Sequence, residues 1–403
     1  MCYNLSFIPG FKNLIKIGNI PPEFEKYYKL NHYITKSNEE YTIVSYNKDL
    51  LCIDLINVYG LLRSVILSGN KVVSFSPPKS LSGESFMYKY PEKKDTIIAE
   101  EFIEGTMINV FFDSTHSCWK IATRNTIDAN VSFYQNSPTF NKMFSDACNG
   151  LDIQKLDKSQ CYSFVLQHPE NKIVNHIKKP ELYLVNVYQI YQEDDDVCVY
   201  NIPIDIVIQS DNMKNSNVKI PTKIEFETYS ELLEKYASGN TPYNIMGVII
   251  KNTQTGDRTK FRNPIYEEVK QLRGNQPKLQ YQYLCLRHSG KIPDFLHYFP
   301  ETKSQLSQFR DQVHMFTNNL HKNYIDCYVK KNKPLKEYPE QYRTHMFKLH
   351  EHFINDLMPN KNYVNNTVVI KYINNLNPSL LMHCLNFNMK KHYIDAVRMR
   401  NLH

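Results

Sequence analysis

The sequence predicts an α+β fold in which a region of antiparallel sheets is followed by a basic, all-helical C-terminal region. Between residues 41 and 250 the apolar stretches are short, rich in Val, Ile, Tyr and Phe, and separated by Asn, Asp, Gly and Pro, which is typical of antiparallel strands. After Pro264 apolar residues recur three and four positions apart, as on amphipathic helices. Lys and Arg outnumber Asp and Glu 20 to 9 from Lys270 onward and are outnumbered 28 to 32 before it. This asymmetry indicates a polyanionic partner for the C-terminal third.

Six segments of the first region have the character of strands. They are residues 41–46, 62–67, 106–113, 161–167, 182–191 and 244–251. Several of them alternate two sets of side chains with period two, so they are expected to lie in sheets whose two faces are filled differently. We therefore predict two packed sheets with a groove between them.

The C-terminal region contains a long amphipathic stripe and three further helical segments. The stripe consists of Leu306, Phe309, Val313, Phe316, Leu320, Tyr324 and Cys327. Further helices are predicted over residues 341–357, 367–376 and 378–391, the last with Pro378 in its first turn, where proline is favoured. The resulting domain prediction is an N-terminal extension (1–40), a sheet domain (41–266) and a basic helical domain (267–403).

Composition excludes several classes of protein. The nine cysteines form no Cys-x-x-Cys pair, so neither a disulfide framework nor a zinc knuckle is indicated. His345, His350 and His352 lack the four-residue spacing that stacks two ligands on one helical face, and no metal site is predicted. The first residues lack the charged and apolar pattern of a signal peptide, and no eighteen uncharged apolar residues run together, so neither a signal peptide nor a membrane span is expected. We expect a protein without a membrane partner, located in the cytoplasm, or in the host cytoplasm or a viral factory if the source is viral.

A series of ordered segments carries a family resemblance. It starts at residues 41–47 (Tyr-Thr-Ile-Val-Ser-Tyr-Asn), continues through 62–66 (Leu-Arg-Ser-Val-Ile) and 74–79 (Ser-Phe-Ser-Pro-Pro-Lys), and ends at 259–262 (Thr-Lys-Phe-Arg). In this order the segments resemble the ATP-dependent RNA ligases of T-even phages, a branch of the covalent nucleotidyltransferases, in the RNA-ligase-like form found in large DNA viruses. The resemblance covers residues 41–266 and implies a nucleotidyltransferase domain there.

The family's lysine motif, Lys-x-Asp-Gly, aligns with Phe102-Ile103-Glu104-Gly105. In that motif a lysine amine with a lowered pKa attacks the α-phosphate of ATP and holds the nucleotide as a phosphoramidate. Phe102 has no lone pair to offer, so the sequence predicts no catalytic residue at this position. Glu104 is expected to hold a ribose hydroxyl or to orient the turn, and Gly105 to supply its tight backbone.

Two further acidic positions of the family are also replaced. Ser163 and Met246 stand where the family carries glutamates, and a methionine cannot supply the hard oxygen ligands that Mg²⁺ prefers. The cations remain: Lys260 and Arg262 align with the closing Lys-x-Lys, whose charges neutralise phosphates. Because these two residues are two apart on one strand, they are expected to face the same side.

The resemblance and the residues together suggest a pseudo-ligase that binds RNA ends or single strands. Its nucleotide- or phosphate-binding residues are predicted to be Arg63, Lys79, Glu104, Gly105, Lys260 and Arg262, with no certain cofactor. In the helical domain Tyr324, Tyr328, Tyr338 and Tyr342 are expected to stack on unpaired bases between basic residues such as Lys330, Lys333, Lys390 and Lys391.

Two alternatives remain open. The first is an active RNA ligase that uses ATP and Mg²⁺ and has a displaced nucleophile, for which Lys93 in Lys93-Lys94-Asp95 is the nearest substitute. The second is a protein-interaction scaffold with a vestigial pocket.

Overall fold

The structure is a computed structural model that describes residues 1–134 and 137–389. The chain divides into two compact units, Met1–Glu268 and Val269 onward. The unit boundary lies two residues from the predicted start of the helical domain. Lys390 and Lys391, which were predicted to contribute to the basic surface, lie outside the described residues.

The first unit is built mainly from strands. They are β1 (Cys2–Asn4), β2 (Tyr28–Ile34), β3 (Glu40–Tyr46), β4 (Val65–Ser68), β5 (Lys71–Phe75), β6 (Ile97–Glu101), β7 (Thr106–Asp113), β8 (Cys118–Ala122), β9 (Gln160–Gln167), β10 (Glu181–Glu193), β11 (Asp196–Ile202), β12 (Lys223–Ile224), β13 (Gly247–Asn252) and β14 (Arg258–Arg262). The strand ladders of the described residues are all antiparallel.

The helices of the chain follow the same order. They are α1 (Phe11–Ile17), α2 (Pro22–Glu25), α3 (Gly83–Lys89), α4 (Phe140–Ala147), α5 (Ile204–Val207), α6 (Asp211–Lys214), α7 (Tyr229–Tyr236), α8 (Pro264–Arg273), α9 (Leu279–His288), α10 (Ile292–Tyr298), α11 (Lys303–Tyr324), α12 (Glu340–His352), α13 (Asn366–Asn374) and α14 (Pro378–Leu385). None of the helices in the described part of the chain combines the length and the apolarity needed to cross a bilayer.

The strands form three sheets. The largest has the order β1-β11-β10-β9-β7-β8, and two four-stranded sheets have the orders β2-β3-β4-β5 and β12-β6-β13-β14. Alternation along the strands explains their packing. Phe111 and Cys161 of the largest sheet join the core that includes Ile43 and Ile66 of the β2–β5 sheet. Val110 and Tyr162, the next residues along the same strands, point to the opposite face, where α4 covers them.

The predicted fold class is confirmed in its antiparallel sheets and its helical C-terminal region. Strand β7 has the predicted bounds, and β9, β10 and β13 differ from prediction by a few residues. Residues 1–40, predicted as an extension, are packed into the unit: β1 pairs with β11, β2 pairs with β3, and Leu5 and Phe11 are fully buried. Their apolar side chains complete the core between the largest sheet and the β2–β5 sheet.

The second unit consists of helices packed through aromatic rings. The predicted stripe on α11 is buried at Leu306, Val313, Phe316, Leu320 and Tyr324. Both α11 and α12 continue into a π-helical turn, at Ile325–Val329 and at Phe353–Leu357. The helix predicted to reach residue 391 begins at Pro378 as expected and α14 ends at Leu385.

Candidate functional site

The turn between β6 and β7 contains residues 102–105, the segment that the sequence aligned with the lysine motif. Gly105 has a φ of 154°, and a Cβ on it would lie 2.5 Å from the carbonyl oxygen of Leu166. No other residue fits this position without a backbone shift. The turn therefore keeps the tight backbone that the sequence predicted, and it leaves Phe102, 9% exposed, at the end of β6.

Glu104 has a structural role in this turn. Its buried carboxylate accepts hydrogen bonds from the backbone N–H groups of Val174 and Asn175, each at 3.1 Å. Burial raises the pKa of Glu104 against the opposing effect of these donors. In this arrangement the carboxylate holds the chain after β9 against the turn.

Strand β14 presents alternating cations to Phe102. The Nζ atom of Lys260 lies 4.8 Å from the centroid of the Phe102 ring, and Cζ of Arg262 lies 5.7 Å from it. Since the sheet order is β6-β13-β14, both side chains reach across β13 to the end of β6. Lys260 and Arg262 are therefore on one side of the strand, beside Phe102.

Arg258, which sequence reasoning missed, shares the alternation of Lys260 and Arg262. Its Nε atom donates to the carbonyl oxygen of Pro78 at 3.2 Å, and its Nη2 atom donates to that of Pro77 at 3.0 Å and also to that of Pro78. The side chain is buried. The spacing Arg-x-Lys-x-Arg was the available signal. Arg258 fixes the segment that leads to Lys79.

We define the cation cluster as Arg63, Lys79, Arg258, Lys260 and Arg262. By solvent exposure Arg258 is buried, Arg63 and Lys260 are half-buried, and Lys79 and Arg262 are exposed. Partial desolvation, reinforced by neighbouring positive charges, lowers the pKa of Lys79, that of Arg63 to about 10 and that of Lys260 to about 6. Arg262 pairs with Glu267 at 2.6 Å. Within residues 1–134 and 137–389, no side-chain hydrogen bond or salt bridge involves Arg63, Lys79 or Lys260.

The cation cluster is suited to bind an anion. Removing a cation from water without a partner costs free energy, and an anion that enters the cluster offsets that cost. Several converging lysine and arginine side chains are the donors that phosphate oxygens accept from most strongly. The arrangement can therefore bind phosphate groups next to Phe102.

Ser163 and Met246, which the sequence aligned with acidic positions, have different surroundings. Ser163, fully buried, donates to Oδ1 of Asn109 at 2.9 Å, and Nδ2 of Asn109 donates to Oγ of Ser76 at 2.8 Å. Met246 precedes Gly247, whose φ is 133° and whose added Cβ would lie 2.0 Å from the carbonyl oxygen of Phe261. Across the described ranges no group of three His, Cys, Asp or Glu side chains converges on a metal position.

Lys93 does not join the cation cluster. It is exposed, and its Nζ atom lies 5.4 Å from the centroid of the Phe226 ring. Phe226 packs with Val248 and Phe261. Phe261 lies between Lys260 and Arg262 on β14, so its side chain points to the other face of the sheet. Lys93 therefore lies on the side of the sheet opposite to Lys260.

A cavity of about 310 Å³ adjoins the cluster through Arg258 alone. Its lining includes Tyr3, Glu100, Tyr188 and Arg258, but not Arg63, Lys79, Lys260 or Arg262. This cavity is distinct from the region that the latter four residues were predicted to line.

The tyrosines predicted to stack on bases are mostly buried in the helical unit. Tyr324, Tyr338 and Tyr342 are between 2% and 6% exposed, and Tyr328 stacks on His350 with ring centroids 3.9 Å apart. The prediction of base stacking is wrong for the three buried tyrosines, because the apolar core of the helices uses their rings.

Comparison with known proteins gave distant relatives. No family model matches the chain. The chain is 24% identical over 323 residues to "Immediate-early protein ICP-46 homolog" of Invertebrate iridescent virus 6, covering 73% of this chain and 68% of that protein. It is 21% identical over 384 residues to "RNA ligase" of Rhodothermus phage RM378, covering 85% of this chain and 82% of that protein.

Among solved structures, an archaeal ATP-dependent RNA ligase matches with a TM-score of 0.38 and 9% identity, covering 70% of this chain and 67% of that one. Naegleria gruberi RNA ligase with PPi matches with a TM-score of 0.35 and 14% identity, covering 60% and 76%. The sequence similarity to a phage RNA ligase agrees with the predicted resemblance to RNA ligases, without singling out the T-even phage branch.

Proposed function

We propose that this chain is an RNA-ligase-like protein that binds the phosphate groups of RNA ends at the cation cluster and does not use residue 102 as a nucleophile. One observation supports the proposal most directly. Arg63, Lys79 and Lys260 are unpaired in the described part of the chain, and Lys260 lies against Phe102. Phosphate groups bound beside Phe102 would neutralise positive charges that have no acidic partner in the described chain.

RNA is the polyanion that we favour because the Rhodothermus phage relative is named an RNA ligase. The C-terminal excess of lysine and arginine is consistent with this choice, since cations along a surface attract a phosphate backbone. A terminal monophosphate carries more charge than an internal phosphodiester, so the cluster should distinguish RNA ends that bear a phosphate from those that bear a hydroxyl.

The test is the affinity of the full chain for a short single-stranded RNA with a 5′-phosphate, compared with the same RNA with a 5′-hydroxyl. We expect the wild type to prefer the phosphate. The combined change Arg63→Met and Lys79→Met should weaken binding of the phosphorylated RNA at least about tenfold, because hydrogen bonds between charged groups contribute roughly 1.5–3 kcal/mol each.

Lys142→Met is the matched control, because Lys142 is exposed and already paired with Asp146 at 2.5 Å. It should leave the affinity unchanged. Equal binding of both RNAs, or an unchanged affinity in the double variant at fixed salt, would contradict the proposal. An affinity for RNA that does not fall as salt rises would favour the protein-interaction scaffold instead, since neutralised phosphates release counterions.

A further inference from the structure

A cavity lies between the largest sheet and the β12-β6-β13-β14 sheet. Glu100 of β6 and Arg258 of β14 line it from one sheet, and Tyr188 of β10 and Asn201 of β11 line it from the other. Its volume of about 310 Å³ is within the range of pockets that bind small molecules. Since a cavity of roughly 150 Å³ is enough for benzene, this one can hold a bicyclic ring with a short polar group.

Much of the lining is apolar. The side chain of Tyr188 is 1% exposed, and the centroid of its ring lies 6.4 Å from that of Tyr3, which also lines the cavity. Ile98, Ile202 and Ile204 add aliphatic side chains to the lining. Aliphatic groups favour an apolar ligand, and tyrosine rings pair well with a further aromatic ring. The lining therefore favours a ligand with an aromatic body.

The charged side chains of the lining leave one positive charge without an acidic partner. Glu100 pairs with Lys251, and Asp205 pairs with Lys223 at 3.0 Å. Arg258 forms no salt bridge in the described chain: its Nε and Nη2 atoms donate to proline carbonyl groups, and Nη1 makes no hydrogen bond there. A carboxylate would compensate this charge. One free nitrogen suits a monoanion, whereas a phosphate group finds several cations in the cation cluster.

An unpaired acceptor lies on the side of the largest sheet. The Oδ1 atom of Asn201 is buried, and it accepts no hydrogen bond from any group of residues 1–134 and 137–389. A buried acceptor without a partner costs free energy, which an N–H or O–H group of a ligand would recover. The cavity therefore matches a ligand with three features: an aromatic body, a carboxylate and a hydrogen-bond donor.

We propose that this cavity binds a small aromatic carboxylic acid that carries an N–H or O–H group. The carboxylate contacts Arg258, the donor contacts Asn201, and the ring packs among the isoleucine and tyrosine side chains. This site is separate from the phosphate site of the cation cluster, and its occupation does not require RNA.

The test uses the purified full chain and three probes with similar bicyclic bodies. Indole-3-acetate has a carboxylate and an N–H group, 1-naphthaleneacetate has only the carboxylate, and indole-3-ethanol has a hydroxyl group in place of the carboxylate. We expect calorimetric titration to give the highest affinity for indole-3-acetate. The other two probes should bind about tenfold more weakly, because each leaves one polar group of the cavity without its partner.

Two variants locate the site. Ile204→Trp fills part of the cavity and should abolish binding of indole-3-acetate. Ile206→Trp is its matched control, because Ile206 lies on the same helix α5, is 64% exposed and does not line the cavity. Asn201→Leu removes the acceptor. It should weaken binding of indole-3-acetate about tenfold and leave that of 1-naphthaleneacetate unchanged, which tests the site even if Ile204→Trp does not fold.

The contrary outcomes are distinct. Equal affinities for the three probes, or no binding of any of them by the wild type, would overturn the inference. Full binding of indole-3-acetate by a folded Ile204→Trp variant would do the same. Loss of binding in the Arg63→Met and Lys79→Met double variant would mean that the carboxylate binds in the cation cluster. Unchanged binding in that double variant would support the cavity as the site.

Discussion

Two groups of charges in the sheet unit, one buried and one mostly half-buried or exposed, differ in how they are satisfied. The first surrounds Asp113, whose Oδ2 atom accepts hydrogen bonds from Tyr41 at 2.7 Å, Ser68 at 2.9 Å and His116 at 2.7 Å. Oδ1 accepts from the backbone N–H of Thr115 at 2.8 Å. Burial alone would raise the pKa of Asp113, but these donors lower it to about 2. The second group is the cation cluster, in which the protein provides few compensating partners.

The difference separates a charge that other parts of the fold satisfy from cations that are left with few partners. Both carboxylate oxygens of Asp113 accept hydrogen bonds. Because Tyr41 lies on β3 and Ser68 on β4, the charge of Asp113 links these two strands to β7. Arg63 and Lys260 are half-buried and Lys79 is exposed, and in the described chain none of the three has a side-chain hydrogen bond or salt bridge that would offset the cost of bringing cations together. Asp113 should therefore be needed for stability, and the cations for binding.

The largest expected effect is the loss of stability in Asp113→Asn. The change removes the charge that three side chains and one backbone N–H donate to, so we expect the free energy of unfolding to fall by about 3 kcal/mol at pH 7. Urea denaturation measures it. Asp205→Asn is the control, since Asp205 is exposed and pairs only with Lys223. A loss below about 1 kcal/mol would contradict the stabilising role of the Asp113 carboxylate.

The opposite sign is expected for Lys260→Met. Replacing a half-buried amine that has no hydrogen bond or salt bridge in the described chain by an apolar side chain should raise the free energy of unfolding by roughly 2 kcal/mol at pH 7. The pKa of Lys260 is about 6 when folded and 10.5 when unfolded, so the unfolded chain binds more protons between these values. Wild-type stability should therefore rise with pH across this window. The advantage of Lys260→Met should shrink towards pH 10, and a constant advantage would contradict the lowered pKa.

Phosphate ligands should stabilise the wild type but not the double variant in which Arg63 and Lys79 are replaced by methionine. With pyrophosphate at ten times its Kd, linkage predicts a gain of about 1.4 kcal/mol in the free energy of unfolding. A thermal melt with and without pyrophosphate measures this. The Arg63→Met and Lys79→Met double variant should show no gain at the same concentration. An equal shift in both proteins would mean that the anion binds elsewhere.

The smallest effect is expected in the helical unit. Lys330 pairs with Asp326 at 3.2 Å and is largely exposed, and Lys333 lies 4.5 Å from the ring centroid of Tyr338. Their combined replacement by alanine should weaken RNA binding by about threefold, because solvated cations contribute little individually. Affinity measurements at two salt concentrations test this. A loss larger than that of the cluster variant would reverse the comparison between the two units.

Local patterns in the sequence were sufficient for the elements and for part of the site. Period-two alternation placed β7, and the two-residue spacing of Lys260 and Arg262 correctly put them on one face. The tight turn at Gly105 followed from the motif. These features depend on neighbours along the chain, which the sequence displays directly.

Features that depend on distant partners were not accessible. Asp113 meets Tyr41 and Ser68, which are 72 and 45 residues away, and no local pattern connects them. The spacing of Arg258 from Lys260 could have indicated its face of the strand but not its burial, because the carbonyl groups that bind it belong to Pro77 and Pro78, far away in the sequence. The buried tyrosines of the helical unit were misjudged because an aromatic residue between lysines has the same local pattern in a core as on a binding surface.

The pairing of β1 with β11 has a consequence for synthesis of the chain. Cys2 pairs with Tyr200 and Asn4 with Cys198, so β1 finds its partner only after nearly two hundred further residues have been translated. Until then its backbone N–H and C=O groups are unpaired and available to other nascent chains. A chaperone that shields the first residues, or a slow step in translation after β11, should therefore increase the yield of folded protein. A variant truncated to start at residue 41 would have no unpaired β1 during translation, but it would also lack β2 and the core side chains of Leu5 and Phe11.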